Sequence, residues 1–165
     1  MAKAELERTV QQPLLDRLID EAPGEAADAP ITWAHSVRQL KHALRRDLEW
    51  LLNTRRIHEE APEQHEEVRH SLYHYGLPDI SSFSRDSGSE RARLLRQVEE
   101  TIATFEPRLT NVRVTLAADD PGSRRQVHFV IEAMLRMDPN PEPVVFDTVL
   151  EVSSGEYQVK GDAGA

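Results

Sequence analysis

The stretch Phe105–Leu116, FEPRLTNVRVTL, is where the chain changes its periodicity. Upstream of it, Leu94, Leu95, Val98, Ile102 and Phe105 recur at helical spacing behind a Ser89–Glu90 start signal, which predicts a helix. Pro107 disfavours helical geometry at Glu106, so that helix ends there. Downstream, Val112, Val114 and Leu116 alternate with Asn111, Arg113 and Thr115, the period of a half-buried strand. The same stretch poses a question of charge. A carboxylate at a helix C-terminus faces the negative pole of the helix dipole and gains nothing there. In an extended chain, positions two apart point to one side, so Glu106 and Arg108 project together, away from Phe105 and Leu109. Two readings follow: an acid–arginine pair that fastens a helix–strand junction, or a polar latch presented to another subunit.

Elements on either side of the junction sort by type. Thr32–Asn53 reads as a long helix, with Thr32 as cap and Asn53 as a left-handed terminator. Trp33, Val37, Leu40, Leu44, Leu48 and Leu51 fall within an arc of about 80° at helical periodicity. Trp50 lies about 120° from the centre of that arc. A second helix is predicted over Glu63–Tyr75, with Val68, Leu72 and Tyr75 on one face and Gly76 followed by Pro78 as its stop. After the junction, Gln126–Leu135 reads as a strand with Val127, Phe129, Ile131 and Ala133 on one side. Val144–Val152 is a third strand, with Val144, Phe146, Leu150 and Val152 on one face, and a short fourth is expected near Tyr157–Lys160. The turn clusters ADDPGS and DPNPEP separate them. The pattern predicts an α+β fold, about three N-terminal helices packed on a small antiparallel three- to four-stranded meander sheet.

Residues 1–30 read as an arm and residues 31–160 as a single domain. Within the arm, PLLDRLID (13–20) suits a short helix, with Pro13 at its first position and Leu14, Leu15, Leu18 and Ile19 on one face. A segment this short needs a surface to dock on. Glu21–Pro30, EAPGEAADAP, has the composition of a linker.

Composition narrows the function. The 165 residues suit one core. A net charge of -9 disfavours bulk binding to nucleic acid or anionic lipid. No cysteine is present, which removes disulfide and thiolate chemistry. No run approaches the about 20 apolar residues of a membrane helix, and the N-terminus lacks a signal-peptide core, so a protein that stays in the compartment where it is made, without membrane insertion, is expected.

Candidate chemistry is sparse. His70 and His74 have the helical spacing of paired metal ligands, with His58 and His65 nearby, but no zincin glutamate follows the first histidine and a polar helix face explains them as well. Glu66, Asp79, Glu99, Glu100 and Glu106 can be nominated as glycosidase carboxylates, yet nothing pairs two of them across a cleft. No phosphate loop, dinucleotide fingerprint or nucleophile elbow is present, so no catalytic, cofactor or metal site is expected. Arg38, Lys41, Arg45, Arg46, Arg55 and Arg56 form a basic run, interrupted by Asp47 and Glu49, that reads as a solvated helix face or a patch for an acidic partner. Trp50 is either half-buried against a neighbour or an interface anchor.

The order PLLDRLID (13–20), SVRQLKHALRRDLEWLLNTRR (36–56), LYHYGLPDISSFS (72–84), FEPRL (105–109) and the strands that follow resembles the TssE family of type VI secretion baseplate wedge proteins, within the wider phage-tail, tail-lysozyme-like family. The resemblance covers nearly the whole chain. It implies a non-enzymatic, cytoplasmic wedge subunit that assembles with TssF and TssG and, together with TssK, forms the baseplate docked at the inner-membrane complex. From that baseplate the TssB/TssC sheath polymerises, by strand addition at an open sheet edge. The family's Glu-Pro-Arg motif falls on Glu106, Pro107 and Arg108 and is implicated in holding the wedge together. Trp50, Arg55, Leu14, Leu15 and Leu18 complete the expected partner-binding set. The alternative is a muramidase-like cell-wall hydrolase.

Overall fold

The computed structural model describes residues 10–19, 23–24, 32–57, 64–79, 87–117 and 126–162. Most of the expected linker, His58 and the turn ADDPGS lie outside the described residues. The chain divides into two compact units, residues 1–44 and 45–165.

In the first unit, helix α1 is Leu14–Leu18 and helix α2, Trp33–Asn53, begins. Pro13 sits at the N-cap of α1 instead of its first turn, and Ile19 is already extended, so the helix is shorter than its apolar spacing predicts. Thr32 Oγ1 accepts from His35 N at 3.3 Å and caps α2 as expected. The arm is fastened just ahead of α1. Val10 N donates to Ser36 Oγ at 3.1 Å, and Gln12 Nε2 donates to Ser36 O at 2.7 Å. Ser36 itself is buried.

The second unit holds the end of α2, helix α3 (Glu66–Arg69), a 3-10 turn (Leu72–His74), helix α4 (Gly88–Phe105) and four strands. The strands β1 (Leu109–Leu116), β2 (Gln126–Leu135), β3 (Glu142–Glu151) and β4 (Glu156–Asp162) form one antiparallel meander in the order β1-β2-β3-β4. This is the predicted α+β arrangement, with helices ahead of the sheet. One sheet face carries the core: Val127, Phe129, Ile131 and Ala133 of β2 are buried, as are Val144, Phe146 and Leu150 of β3. Leu94, Val98 and Ile102 of α4 are buried too, and α4 packs along β1. Asn111 has a φ of 54° within a register shift between Thr110 and Arg113, a bulge that bends this edge strand.

Three local expectations are corrected. The predicted helix over Glu63–Tyr75 is two short pieces. Ser71 Oγ donates to Val68 O at 2.8 Å and accepts from Tyr73 N, so its hydroxyl competes with the helical ladder and breaks it. Leu72 therefore leaves the predicted face and is 85% exposed. Ser87, not Ser89, caps α4 by accepting from Glu90 N. Asn53 does not end α2 in the left-handed conformation; it is the helix's last residue, and Thr54 closes the end by donating Oγ1 to Trp50 O at 2.7 Å.

Candidate functional site

The site grows out of the turn between α4 and β1. Glu106 N donates to Ile102 O at 2.9 Å, completing the helix, and Leu109 N donates to Glu106 O at 3.0 Å, closing a turn around Pro107 and Arg108. The chain turns here where the sequence predicted an extended segment. The turn still brings Glu106 and Arg108 together. Glu106 is only 6% exposed. Its Oε1 accepts from Arg108 N at 3.3 Å and from Arg108 Nε at 2.6 Å, and its Oε2 accepts from Arg108 Nη2. The fork-to-fork geometry is the strong form of a carboxylate–guanidinium pair. The first of the two readings, an acid–arginine pair within the chain, is present.

A second carboxylate completes the arrangement. Arg108 Nη2 also donates to Asp47 Oδ2 at 2.8 Å, from the last two turns of α2. Asp47 Oδ1 in turn accepts from Arg46 Nε at 3.1 Å and Nη2 at 2.8 Å. The Arg46 guanidinium lies 4.9 Å from the centre of the Trp50 ring, within cation–π range. Trp50 is 53% exposed, off the buried stripe as its position on the helix requires. Asp47 was legible only as an interruption of a basic run. It lies 61 positions from Arg108, and no local spacing announces the contact.

Electrostatics follow from this geometry. Burial disfavours the charge on Arg108, but the hydrogen bonds and charge of Glu106, then those of Asp47, outweigh it and raise the guanidinium above its ordinary value. Tyr75, whose ring meets Phe105 edge-on at 5.4 Å, has its phenol pushed up by burial and then by Asp47 and Glu106. Arg108 Nη1 makes no hydrogen bond among the described residues.

A second polar fastener lies at the end of α2. Asn53 Nδ2 donates to Tyr157 O at 2.8 Å, and Tyr157 N donates to Asn53 Oδ1 at 2.9 Å. One carboxamide thereby satisfies both main-chain groups that β4 turns away from β3 at Tyr157. Beside it, Leu77 N donates to Thr54 O at 2.9 Å and Arg56 N to Leu77 O at 2.8 Å. A cleft of about 300 Å³ opens here, lined by Asn53, Arg55, Asp79, Glu156 and neighbours. Arg55 is exposed at its edge. Glu106 does not line this cleft.

Leu14 and Leu18 are 68% and 74% exposed, and Leu15 is exposed with them. His70 and His74 do not share a helix face: His70 caps α3 and His74 lies in the 3-10 turn. Among the described residues no group of three metal-ligating side chains is present. No helix among them is long and apolar enough to cross a membrane.

Comparison with known proteins bears on the identity. Among curated proteins nothing matches. The model of one protein family, described as baseplate wedge protein gp25, matches residues 38–140, which include most of α2, the Glu106–Arg108 turn, β1 and β2. The chain therefore belongs to the baseplate wedge protein gp25 family.

Proposed function

We propose that this chain is a structural subunit of a contractile injection baseplate of the type VI secretion kind. Its family is one of structural baseplate proteins that associate with other baseplate components. In the finer reading, residues 31–160 act as one wedge domain and residues 1–30 as its arm, in the cytoplasm, with the baseplate docked at the inner-membrane complex. The wedge forms with TssF and TssG, joins TssK, and starts the TssB/TssC sheath by offering a sheet edge to a partner strand.

The observation that carries the reading is the Arg108 guanidinium. It is clamped by two carboxylates of its own chain, yet its Nη1 is engaged by no group among the described residues, on a side chain that is a quarter exposed. Glu106 and Pro107 shape the turn, and Arg108 is the member of the motif that meets a partner. Trp50 and Arg55 stand exposed on the same unit, and Leu14, Leu15 and Leu18 offer an apolar arm. A short apolar helix of this kind gains by docking on a partner groove.

Co-purification tests the proposal. Arg108→Ala, expressed in place of the native chain in its own cell, is expected to lose recovery of the other wedge subunits and to abolish sheath assembly while the purified chain still unfolds cooperatively. Full recovery of the wedge with Arg108→Ala would remove the latch.

A further inference from the structure

Asp47 lies outside the motif, yet it links Arg108 to the exposed Trp50. Through Oδ2 it holds Arg108 at 2.8 Å, and through Oδ1 it holds Arg46, whose guanidinium covers Trp50. Arg108 has its Nε and Nη2 committed within the chain. Nη1 is the nitrogen of that fork that no group among the described residues engages. The formal charges of Glu106, Asp47, Arg46 and Arg108 cancel. An incoming acid finds no surplus of positive charge, whereas an uncharged oxygen meets a strong, fixed donor. Linked to that donor through Asp47 and Arg46, Trp50 is more than half exposed and its ring is held by Arg46. An aromatic ring of this kind is the common anchor of a protein interface.

We propose that Asp47 is a positioning residue of the wedge interface. With Glu106 it fixes Arg108 so that Nη1 meets a neutral main-chain carbonyl of a neighbouring baseplate subunit, while Trp50 enters an apolar socket next to that carbonyl. The proposal rests on the wedge reading above. It adds the residue that aims the arginine and the chemistry of the surface it meets.

The test uses the full chain co-expressed with the other wedge subunits of its own cell, purified through one of those subunits, with binding measured against added salt. Asp47→Asn keeps the shape and removes the charge. It is expected to weaken wedge binding about tenfold, the scale of one charge-assisted hydrogen bond lost from an interface, with the melting temperature of the isolated chain little changed. Trp50→Ala is expected to do the same. The wild-type complex should hold as salt rises to roughly 0.5 M, since screening acts on net charge that this surface lacks. Wild-type binding by Asp47→Asn alongside failure of Arg108→Ala would overturn the role of Asp47 and leave the latch standing. Wild-type binding by both would remove the latch as well. Loss of the fold in Asp47→Asn, seen by circular dichroism, would make Asp47 a folding residue and overturn its role at the interface. Release of the complex by salt would replace the carbonyl with an acidic partner group. Self-association of the purified chain that Trp50→Ala abolishes would replace the neighbouring subunit with a second copy.

Discussion

Two helices end in the second unit on a polar side chain that fastens the chain there, and they do so in opposite ways. At the end of α2, the Asn53 carboxamide gives one donor and one acceptor to the main chain of Tyr157, with both bonds within 2.9 Å. The fastener is neutral, and it satisfies both main-chain groups it faces. At the end of α4, Glu106 pairs with Arg108, and the pair recruits Asp47. This fastener is built of charged groups, is buried at Glu106, and leaves one guanidinium nitrogen without a hydrogen bond among the described residues. The difference teaches where to look for function. A neutral amide matched to two main-chain groups spends its bonds inside the fold, while the charged cluster leaves Arg108 Nη1 without a hydrogen bond among the described residues, and it is there that the proposed latch would meet a partner.

Residues 75–77 run from one fastener to the other, so the largest effect is expected between them. The Tyr75 ring meets Phe105 on the charged side, and Leu77 is hydrogen-bonded to Thr54 and Arg56 on the amide side. Gly76 between them has a φ of 99°, and a Cβ there would lie 2.2 Å from Thr54 O. Gly76→Ala therefore meets both a left-handed backbone and a main-chain clash, and is expected to cost about 3 kcal/mol in urea unfolding. Next comes Asn53→Ala, which strands the N–H and C=O of Tyr157 at a partly solvated site. About 2 kcal/mol is expected, with wedge assembly retained under conditions where the variant stays folded. If Asn53→Ala instead abolished assembly at full stability, the amide would be an interface residue and the contrast would collapse.

Glu106→Gln should show the opposite profile. The amide keeps the volume and part of the hydrogen bonding, and Asp47 remains to hold Arg108. A loss of about 1 kcal/mol is expected in the same urea assay. Wedge recovery, however, should fall by far more than that stability loss explains, because Asp47 alone holds the arginine by one nitrogen and leaves its fork free to turn. A parallel fall in stability and assembly would reduce the pair to a second structural fastener.

This contrast also separates what the sequence disclosed from what it hid. Gln126–Leu135 was readable end to end, because its apolar residues keep period two without a break and one face must be buried. The Glu106–Arg108 pair was readable because Pro107 fixes where the helix ends, although the chain there is a turn and not an extended segment. The break at Ser71 was not readable from apolar spacing, since Val68, Leu72 and Tyr75 fit a helix. It is the hydroxyl's competing bonds to Val68 and Tyr73 that decide. Asn53 fitted a left-handed terminator until Tyr157, 104 positions on, was placed beside it. Asp47 was hidden for the same reason: long-range polar partners leave no periodic trace.

The smallest expected effect uses a tyrosine at each fastener as a reporter. Burial pushes the phenols of both Tyr75 and Tyr157 above their ordinary value of 10.0, and Asp47 and Glu106 add to the shift at Tyr75 alone. The folded chain therefore holds these protons more tightly than the unfolded chain does. Their contribution to stability is complete below pH 10 and is lost as pH rises through the folded values, at most about 1.4 kcal/mol per pH unit for each proton. Tyr157→Phe should remove its share of that loss in alkaline urea unfolding. Phenolate absorbance then distinguishes the sites: Asp47→Asn should lower the Tyr75 titration, because a negative neighbour is gone, and leave the Tyr157 titration where it was. A Tyr75 titration that ignores Asp47→Asn would mean that the carboxylate does not face this cluster in solution, and the charged fastener would then be Glu106 and Arg108 alone.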